Sequence, residues 1–592
     1  MQTKHFFSDP NHLVLTALHS ITLTNPSLAL DPTHKIVFRR PDAPRKAKKV
    51  SIVTGGGSGH EPAFAGYVGH GLCDASVAGT IFASPSAEQI RRAAMDRVPT
   101  NEGVFIIPMN YTGDVLNFGM ATEKCRAAGI NTEFFAINDD VGVGREKGGL
   151  VGRRGLCGGI LILKMIGALA EAGGSLEEVY GLARQVNDNL VSLGSSLEHV
   201  HIPGRDVPED TVQHGEVEIG MGIHNEPGSH RAKFELVGLV SIMLKQLLDQ
   251  NDTDRNYITR KPEDKFVLLV NNLGGVSPLE MAGITDELYR QLERDYQVKP
   301  VRLIQGTFLT SLNGLGFSVS LLRLSDTGLG AGKSMLELLD APAEAVGWSA
   351  PIPTSTWDNR SDAPVELKDS NLAEELPSNL KLDPAVVKKI LGAGLKRVIS
   401  VEPEVTRYDT IVGDGDCGVG LKRGAEAIQA LLDNASPPLS DDIVNTVNRI
   451  VTVVENTMDG TSGAIYAIFL NALAHGLRAQ DQSSAVPATT EVWAKALKHS
   501  INALSKYTPA KPGDRTLMDA LVPFGDTLME TLDVRVAAAA SQQGSESTKS
   551  MKASLGRAVY VGGEEEWLGK VPDPGAYGLS EFLTGLAEAV EK

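Results

Sequence analysis

Short runs of apolar, often β-branched residues recur through the first part of the chain: Val50 to Val53, Val104 to Ile107, Phe134 to Ile137, Val267 to Val270 and Phe317 to Leu324. Each is bounded by Gly, Asn or Asp and separated from the next by helix-like stretches, the pattern of buried strands in an α/β domain. Gly55-Gly56-Gly57 follows Val53 and Gly274-Gly275 follows Val270; glycine-rich turns at strand ends are where such folds gather ligands. Between Ala341 and Pro384 the period disappears. Six prolines (Pro342, Pro351, Pro353, Pro364, Pro377 and Pro384) interrupt a stretch rich in Ser, Asp and Asn, which reads as a linker. Beyond it, Ile443, Val447, Ile450, Val451 and Val454 form the stripe of a core-facing helix, and a second helix is expected from about Ala464 to Leu473. The patterning therefore predicts an α/β domain over residues 8–340, a Pro-rich linker over 341–384 and an all-helical domain over 385–590. Ala537 to Ser550, rich in Ala, Ser and Gln, fits either a flexible loop or a weak helix.

A chain of 592 residues is too long for one core, in agreement with that division. Its 56 Lys and Arg against 73 Asp and Glu leave a net charge of −17, with no segregated basic patch, which argues against nucleic acid as a partner. No run approaches the ~18 apolar residues of a membrane span, and Met1 to Arg40 lacks the basic-then-apolar order of a secretory leader. The expectation is a cytoplasmic protein with no membrane partner. Cys73, Cys125, Cys157 and Cys417 are far apart, form no C-x-x-C pair and are expected as reduced, mostly buried thiols.

The chemistry-bearing motifs follow the same division. Tyr408-Asp409 leads into Val412-Gly413-Asp414-Gly415-Asp416-Cys417-Gly418, which puts three carboxylates within eight residues. Glycines let all three face one point, where a hard divalent ion would relieve their repulsion; an exposed turn with helix-capping aspartates explains the same letters. Asp459-Gly460-Thr461-Ser462-Gly463 stands before the second helix, either as an anion cradle at its positive end or as an ordinary N-cap. In the α/β domain, Gly55 to Pro62 leaves a strand like a phosphate loop but carries His60 instead of a lysine, and His60 can move protons near neutral pH. Asn110 to Asp114 sets a carboxylate at another strand end, as a base or a turn residue. His224 lies in Glu218 to Gly228, where flanking glycines predict a mobile stretch; a lone histidine there is more often a structural hydrogen-bonder. Thr327 to Ser334 imitates a Walker A loop, but Thr327 stands where the first glycine is required, so a helix start with loose glycines is the plainer reading.

Taken together, the motifs at 55–62, 110–114, 220–228, 412–418 and 458–463 closely resemble, in order and over nearly the whole chain, those of the ATP-dependent dihydroxyacetone kinases (triokinases) of single-chain, two-domain form. The resemblance implies that the α/β domain binds dihydroxyacetone, with His224 forming a covalent hemiaminal with the C2 carbonyl. It puts Gly57, Ser58, Gly59 and His60 around the substrate, with Asp114 and His60 handling the hydroxyl proton. The C-terminal domain is expected to be a helical barrel in which Asp409, Asp414 and Asp416 hold Mg²⁺ on the phosphates of ATP. Gly415, Asp416, Cys417, Gly418, Thr461, Ser462, Thr516, Leu517, Asp573, Pro574 and Gly575 match positions that line the nucleotide site. Cys417 stands where some relatives have histidine. The resemblance also implies glyceraldehyde as a second substrate and a homodimer. Some members cyclise FAD with release of AMP, which these motifs do not decide.

Overall fold

The computed structural model describes residues 6–7, 9–41, 49–203, 212–350, 352–359, 376–458, 460–555, 558 and 564–590. The chain divides into two units, residues 1–364 and 365–592.

Each expected apolar run in the first unit coincides with or borders a strand. β1 (Leu28–Asp31), β2 (Ile36–Arg39), β3 (Ser51–Ser58), β4 (Ala75–Ile81), β5 (Val104–Ile106) and β6 (Thr132–Phe134) form one sheet in the order β1-β2-β4-β3-β5-β6. Its β4-β3-β5-β6 portion is parallel. β7 (Leu190–Ser196), β8 (Val217–Ile219), β9 (His230–Ala232), β10 (Phe266–Asn272), β11 (Arg302–Gly306) and β12 (Gly316–Arg323) form a second sheet in the order β11-β10-β12-β7-β8-β9. Only its β10–β11 pair is parallel. One core joins the two sheets: Val50, Ile52 and Phe105 of the first and Val267, Leu269 and Leu322 of the second cluster around the wholly buried helix Gly159–Glu171. Burying apolar area on this scale, at roughly 25 cal/mol per Å², fixes how the sheets lie on each other.

The expected linker start at Ala341 is corrected here. Residues 341–348 still belong to the α/β unit, because Glu344 bridges to His70, Ala345 is buried and Trp348 packs on the shared core. At the other end, Leu380–Lys381 pairs with Val486–Pro487, and the Ser378 hydroxyl donates to Asp442 at 2.6 Å, so the last linker residues are fastened to the helical unit. Residues 351 and 360–375, Pro364 included, lie outside the described residues.

The second unit is built on α1 (Pro384–Val412), α2 (Cys417–Asn434), α3 (Ile443–Thr457), α4 (Gly460–Arg478), α5 (Thr490–Leu504), α6 (Met518–Thr531), α7 (Val534–Ser547) and α8 (Pro574–Ala589). Each packs on its neighbour in sequence, and α8 returns to α1, so the helices close into a ring. Apolar stripes face inward and enclose a cavity of about 460 Å³ lined by residues such as Val398, Ile428, Val447, Phe469, Leu521 and Leu583. The Ala- and Ser-rich stretch is resolved as helix: Ala537, Ala538, Ser541 and Ser545 are buried on α7, which lies against α6 and α8, and that contact supplies what propensity alone does not. Among the described residues no helix is long and apolar enough to cross a membrane.

Candidate active site

In the α/β unit the site is assembled from loops of both sheets. β3 ends at Ser58 and Gly59 turns at φ +102°, a backbone that favours glycine; a Cβ there would stand 2.8 Å from the Phe82 ring. The turn delivers His60, 2 % exposed, whose Nδ1 lies 2.8 Å from the Thr310 carbonyl. The segment after β11 runs alongside, with the Thr310 amide donating to His60 O and the Leu312 amide to Gly59 O. Phe82, itself at φ +57°, stacks on the His60 ring at 5.1 Å. A bulky residue held at positive φ is a strained position of the kind that gathers at functional sites.

His224 arrives from the turn between β8 and β9. The expected mobility is not what its contacts show: the Gly222 amide donates to Glu226 O, Ser311 Oγ to Ile223 O, and the Asn225 side chain pairs with both backbone groups of Val200. The His224 Nε2 is 3.1 Å from the His60 Nε2, and its Nδ1 is 2.8 Å from Glu226 Oε1. Tyr111 and Phe82 stand edge to face against the His224 ring, at 4.7 and 5.2 Å.

Asp114 lies in the first turn of the helix Thr112–Ala127, which Tyr111 precedes as N-cap. It is 7 % exposed, and its Oδ1 has no hydrogen-bond partner among the described residues. Burial pushes its carboxyl up to about 6, against a hydrogen bond from Ser84 and the field of His224. Burial and the field of His224 hold His60 down at about 3, so it is neutral. Of the two, Asp114 is the better match for a base working near neutral pH. Gly57 leaves room for the Ala83 amide, 2.8 Å from where its Cβ would be, and Ser58 Oγ is spent on the Gly79 carbonyl.

The helical unit carries the acidic cluster at the α1–α2 junction. Ligand oxygens of Asp409, Asp414 and Asp416 lie within 4.8 Å of one another. Gly413 and Gly415, the latter at φ +81°, make the turn, and Asp409 also accepts from the Cys417 amide at 3.0 Å. Hard oxygen donors at this separation fit Mg²⁺, which takes few carboxylates and completes its shell with water and phosphate. The Cys417 Sγ is 3.9 Å from Ser462 Oγ, and burial, then Asp409, push its thiol up to about 12. Thr461 and Ser462 lie inside the first turn of α4, which starts at Gly460 and not near Ala464, so their amides are among those that a helix leaves without intrahelical partners. Asp459 lies outside the described residues.

Asp573 caps α8 at the Ala576 amide, Pro574 occupies its first turn, and a Cβ on Gly575 would meet Asp573 and Leu517. Burial pushes Asp573 up to about 6, with the buried Arg515 opposing and Asp519 and Asp409 adding. Asp519 accepts from the Thr516 amide at 2.8 Å. Gly418 is packed most tightly of the expected lining glycines. It is buried where α2 crosses α1, and a Cβ would stand 2.2 Å from Thr406 Oγ1, so the two helices approach closely there.

The Walker-like loop resolves as a cap. Ser334 and Glu337 form a capping box on the six-residue helix Met335–Asp340, using the groups a phosphate would need. Sequence reasoning missed Glu226, Thr310, Phe82 and Arg154. Glu226 alone left a signal, as a carboxylate two residues past His224 across a turn.

A family described as Dak1 domain matches residues 19–347, and one described as DAK2 domain matches residues 411–588. The chain is 43% identical over 600 residues to dihydroxyacetone kinase 2 of Saccharomyces cerevisiae, with all of both chains covered. It is 36% identical to the triokinase/FMN cyclase of Homo sapiens, covering 97% of each. Among solved structures, the dihydroxyacetone kinase of C. freundii in complex with AMP-PNP and Mg²⁺ matches with a TM-score of 0.64 at 29% identity over the whole of both chains.

Proposed function

The chain belongs to the dihydroxyacetone kinase family in its single-chain, two-domain form, and from that premise we propose how its residues divide the reaction. It is an ATP- and Mg²⁺-dependent kinase that phosphorylates dihydroxyacetone. His224 captures the ketone. The Nε2 of His224 adds to C2, the carbonyl electron pair moves to oxygen, and that oxygen takes a proton to give the hemiaminal hydroxyl. The observation that carries this reading is the placement of His224 Nε2: it faces a second, neutral imidazole in an aromatic enclosure, while Nδ1 is engaged elsewhere. Asp114, with one oxygen unpartnered, accepts the proton of the terminal hydroxyl as that oxygen attacks phosphorus, and His60 orients the hydroxyl through Nε2.

Asp409, Asp414 and Asp416 would hold Mg²⁺, which when bound neutralises charge on the ATP phosphates. Ser462 and the first-turn amides of α4 offer donors to phosphate oxygens, and Thr516, Leu517 and Asp573 to Gly575 border the same mouth. Covalent capture separates the ketone from glycerol, which lacks a carbonyl; a pocket alone rejects near-isosteres by only about 10²-fold. Glyceraldehyde has a carbonyl and is a substrate of the same site.

ATP consumption with Mg²⁺ and dihydroxyacetone, glyceraldehyde, glycerol or no acceptor tests the reading. Turnover is expected with the two carbonyl compounds only, and is lost in His224→Ala. Equal rates with glycerol remove covalent capture.

A further inference from the structure

The hydrogen bonds around His224 define where its protons sit. The Thr310 carbonyl can only accept, so His60 Nδ1 carries the hydrogen, and the Nε2 of neutral His60 presents a lone pair to His224. On its other side His224 faces Glu226. Burial works against ionisation of that carboxyl, but the hydrogen bond and charge of His224 outweigh it and hold Glu226 down at about 2. An ionised carboxylate only accepts, so Nδ1 of His224 also carries a hydrogen.

Glu226 grips its histidine twice. Oε1 takes the ring at 2.8 Å, and Oε2 takes the His224 backbone amide at 2.9 Å. The carboxylate therefore fixes both the rotation of the imidazole and the turn that bears it. Gly222 makes space for this: a Cβ there would stand 2.1 Å from Glu226 Oε2 and 2.6 Å from Arg154 Nη1. Arg154, in turn, is held by Asp140 at 2.7 Å and by the Gly220 carbonyl at 2.7 Å. A cation is thus built in beside Glu226, on the side away from the imidazole's bond.

Resting on covalent capture by His224, we propose that Glu226 is the positioning residue of that step: it keeps the proton on Nδ1, turns Nε2 toward the carbonyl carbon and carries the charge opposite the imidazolium formed in the adduct. The step balances with one proton taken up from solvent. The Nε2–C2 bond forms and the C2=O π bond breaks onto oxygen. That oxygen takes a proton from solvent, and the positive charge left on the ring stays paired with Oε1 through the Nδ1 proton. In Glu226→Gln the amide group can donate to Nδ1, which favours the tautomer with hydrogen on Nε2 and blocks the nucleophile. In a Ser-His-Asp triad the analogous change costs about 10⁴-fold.

The test is ¹³C NMR of full-length protein with dihydroxyacetone labelled at C2, which separates the ketone resonance from the tetrahedral adduct. The wild type is expected to show the adduct. Glu226→Gln should lose it by about 10²-fold or more, Glu226→Asp should recover part of it, and Mg·ATP binding should be unchanged in both. No adduct in the wild type would defeat covalent capture itself. An adduct in the wild type that persists undiminished in Glu226→Gln would overturn the role of Glu226 alone. A second measurement needs no variant. In ¹⁵N-histidine-labelled wild type the adduct should show a protonated Nδ1, and a bare Nδ1 would also overturn the proposal.

Discussion

Asp114→Asn separates what the α/β unit needs for chemistry from what it needs for stability. The Asp114 carboxyl ordinarily ionises near 3.8 and is pushed up to about 6 by burial. An acid raised on folding places no penalty on the fold below pH 3.8; the penalty then grows until the pH passes about 6. Two pKa units at about 1.4 kcal/mol each amount to about 3 kcal/mol against the fold at pH 8. Asparagine keeps the shape and an acceptor for Ser84 while removing the charge. Scanning calorimetry at pH 8 should therefore place the α/β transition of the variant about 4 °C above the wild type. At pH 5 the gap should shrink to about half, since the unfolded wild type is still ionised there while the folded carboxyl is not. Turnover should meanwhile fall by about 10² to 10⁴-fold, the usual contribution of a general base. A variant that melts at or below the wild type at pH 8, or a gap that does not change with pH, would refute the assignment of a buried, charged Asp114.

Three further outcomes are expected. Asp414→Asn should cut turnover by about 10²-fold or more and raise the Mg²⁺ needed for half-maximal rate, while Lys333→Ala leaves both unchanged; the reverse pattern would favour the Walker-like loop. Gly59→Ala forces a Cβ to 2.8 Å from the Phe82 ring and should lower kcat/KM for dihydroxyacetone by about 10²-fold with Mg·ATP binding unaltered, since a misplaced His60 loses its orientation. At pH 8 the Cys417 thiol, pushed up to about 12, has about 10⁻⁴ of its population as thiolate. Native protein treated with iodoacetamide should show no Cys417 adduct by mass spectrometry, and rapid labelling there would contradict the raised thiol.

Sequence patterning located strands where apolar residues are dense, as in β10 and β12, and overlooked those diluted by small residues. β4 reads Ala-Ser-Val-Ala-Gly-Thr-Ile and β7 reads Leu-Val-Ser-Leu-Gly-Ser-Ser, both almost wholly buried, yet their Ser, Gly and Ala carry no apolar signal. The run from Phe134 to Ile137 was placed too late, because β6 pairs through Thr132, Glu133 and Phe134 at a sheet edge, where polar residues are tolerated. His60, Asp114, His224 and the three aspartates were legible because their chemistry is rare in glycine-rich surroundings. Thr310, Phe82 and Arg154 were not, since each matters only through a contact made by distant parts of the chain: Thr310 meets His60 250 residues away. Gly418 shows the converse, a motif glycine whose position is explained by helix packing.

The imidazole pair draws one ring from each of two sheets that share a single core, and the two Nε2 atoms are only 3.1 Å apart. That spacing behaves like a vernier between the layers: a slip of one ångström, too small to unfold anything, would part the rings. Catalytic competence should consequently fade during heating before any loss of secondary structure is visible, and neither layer expressed alone would retain a ketone trap.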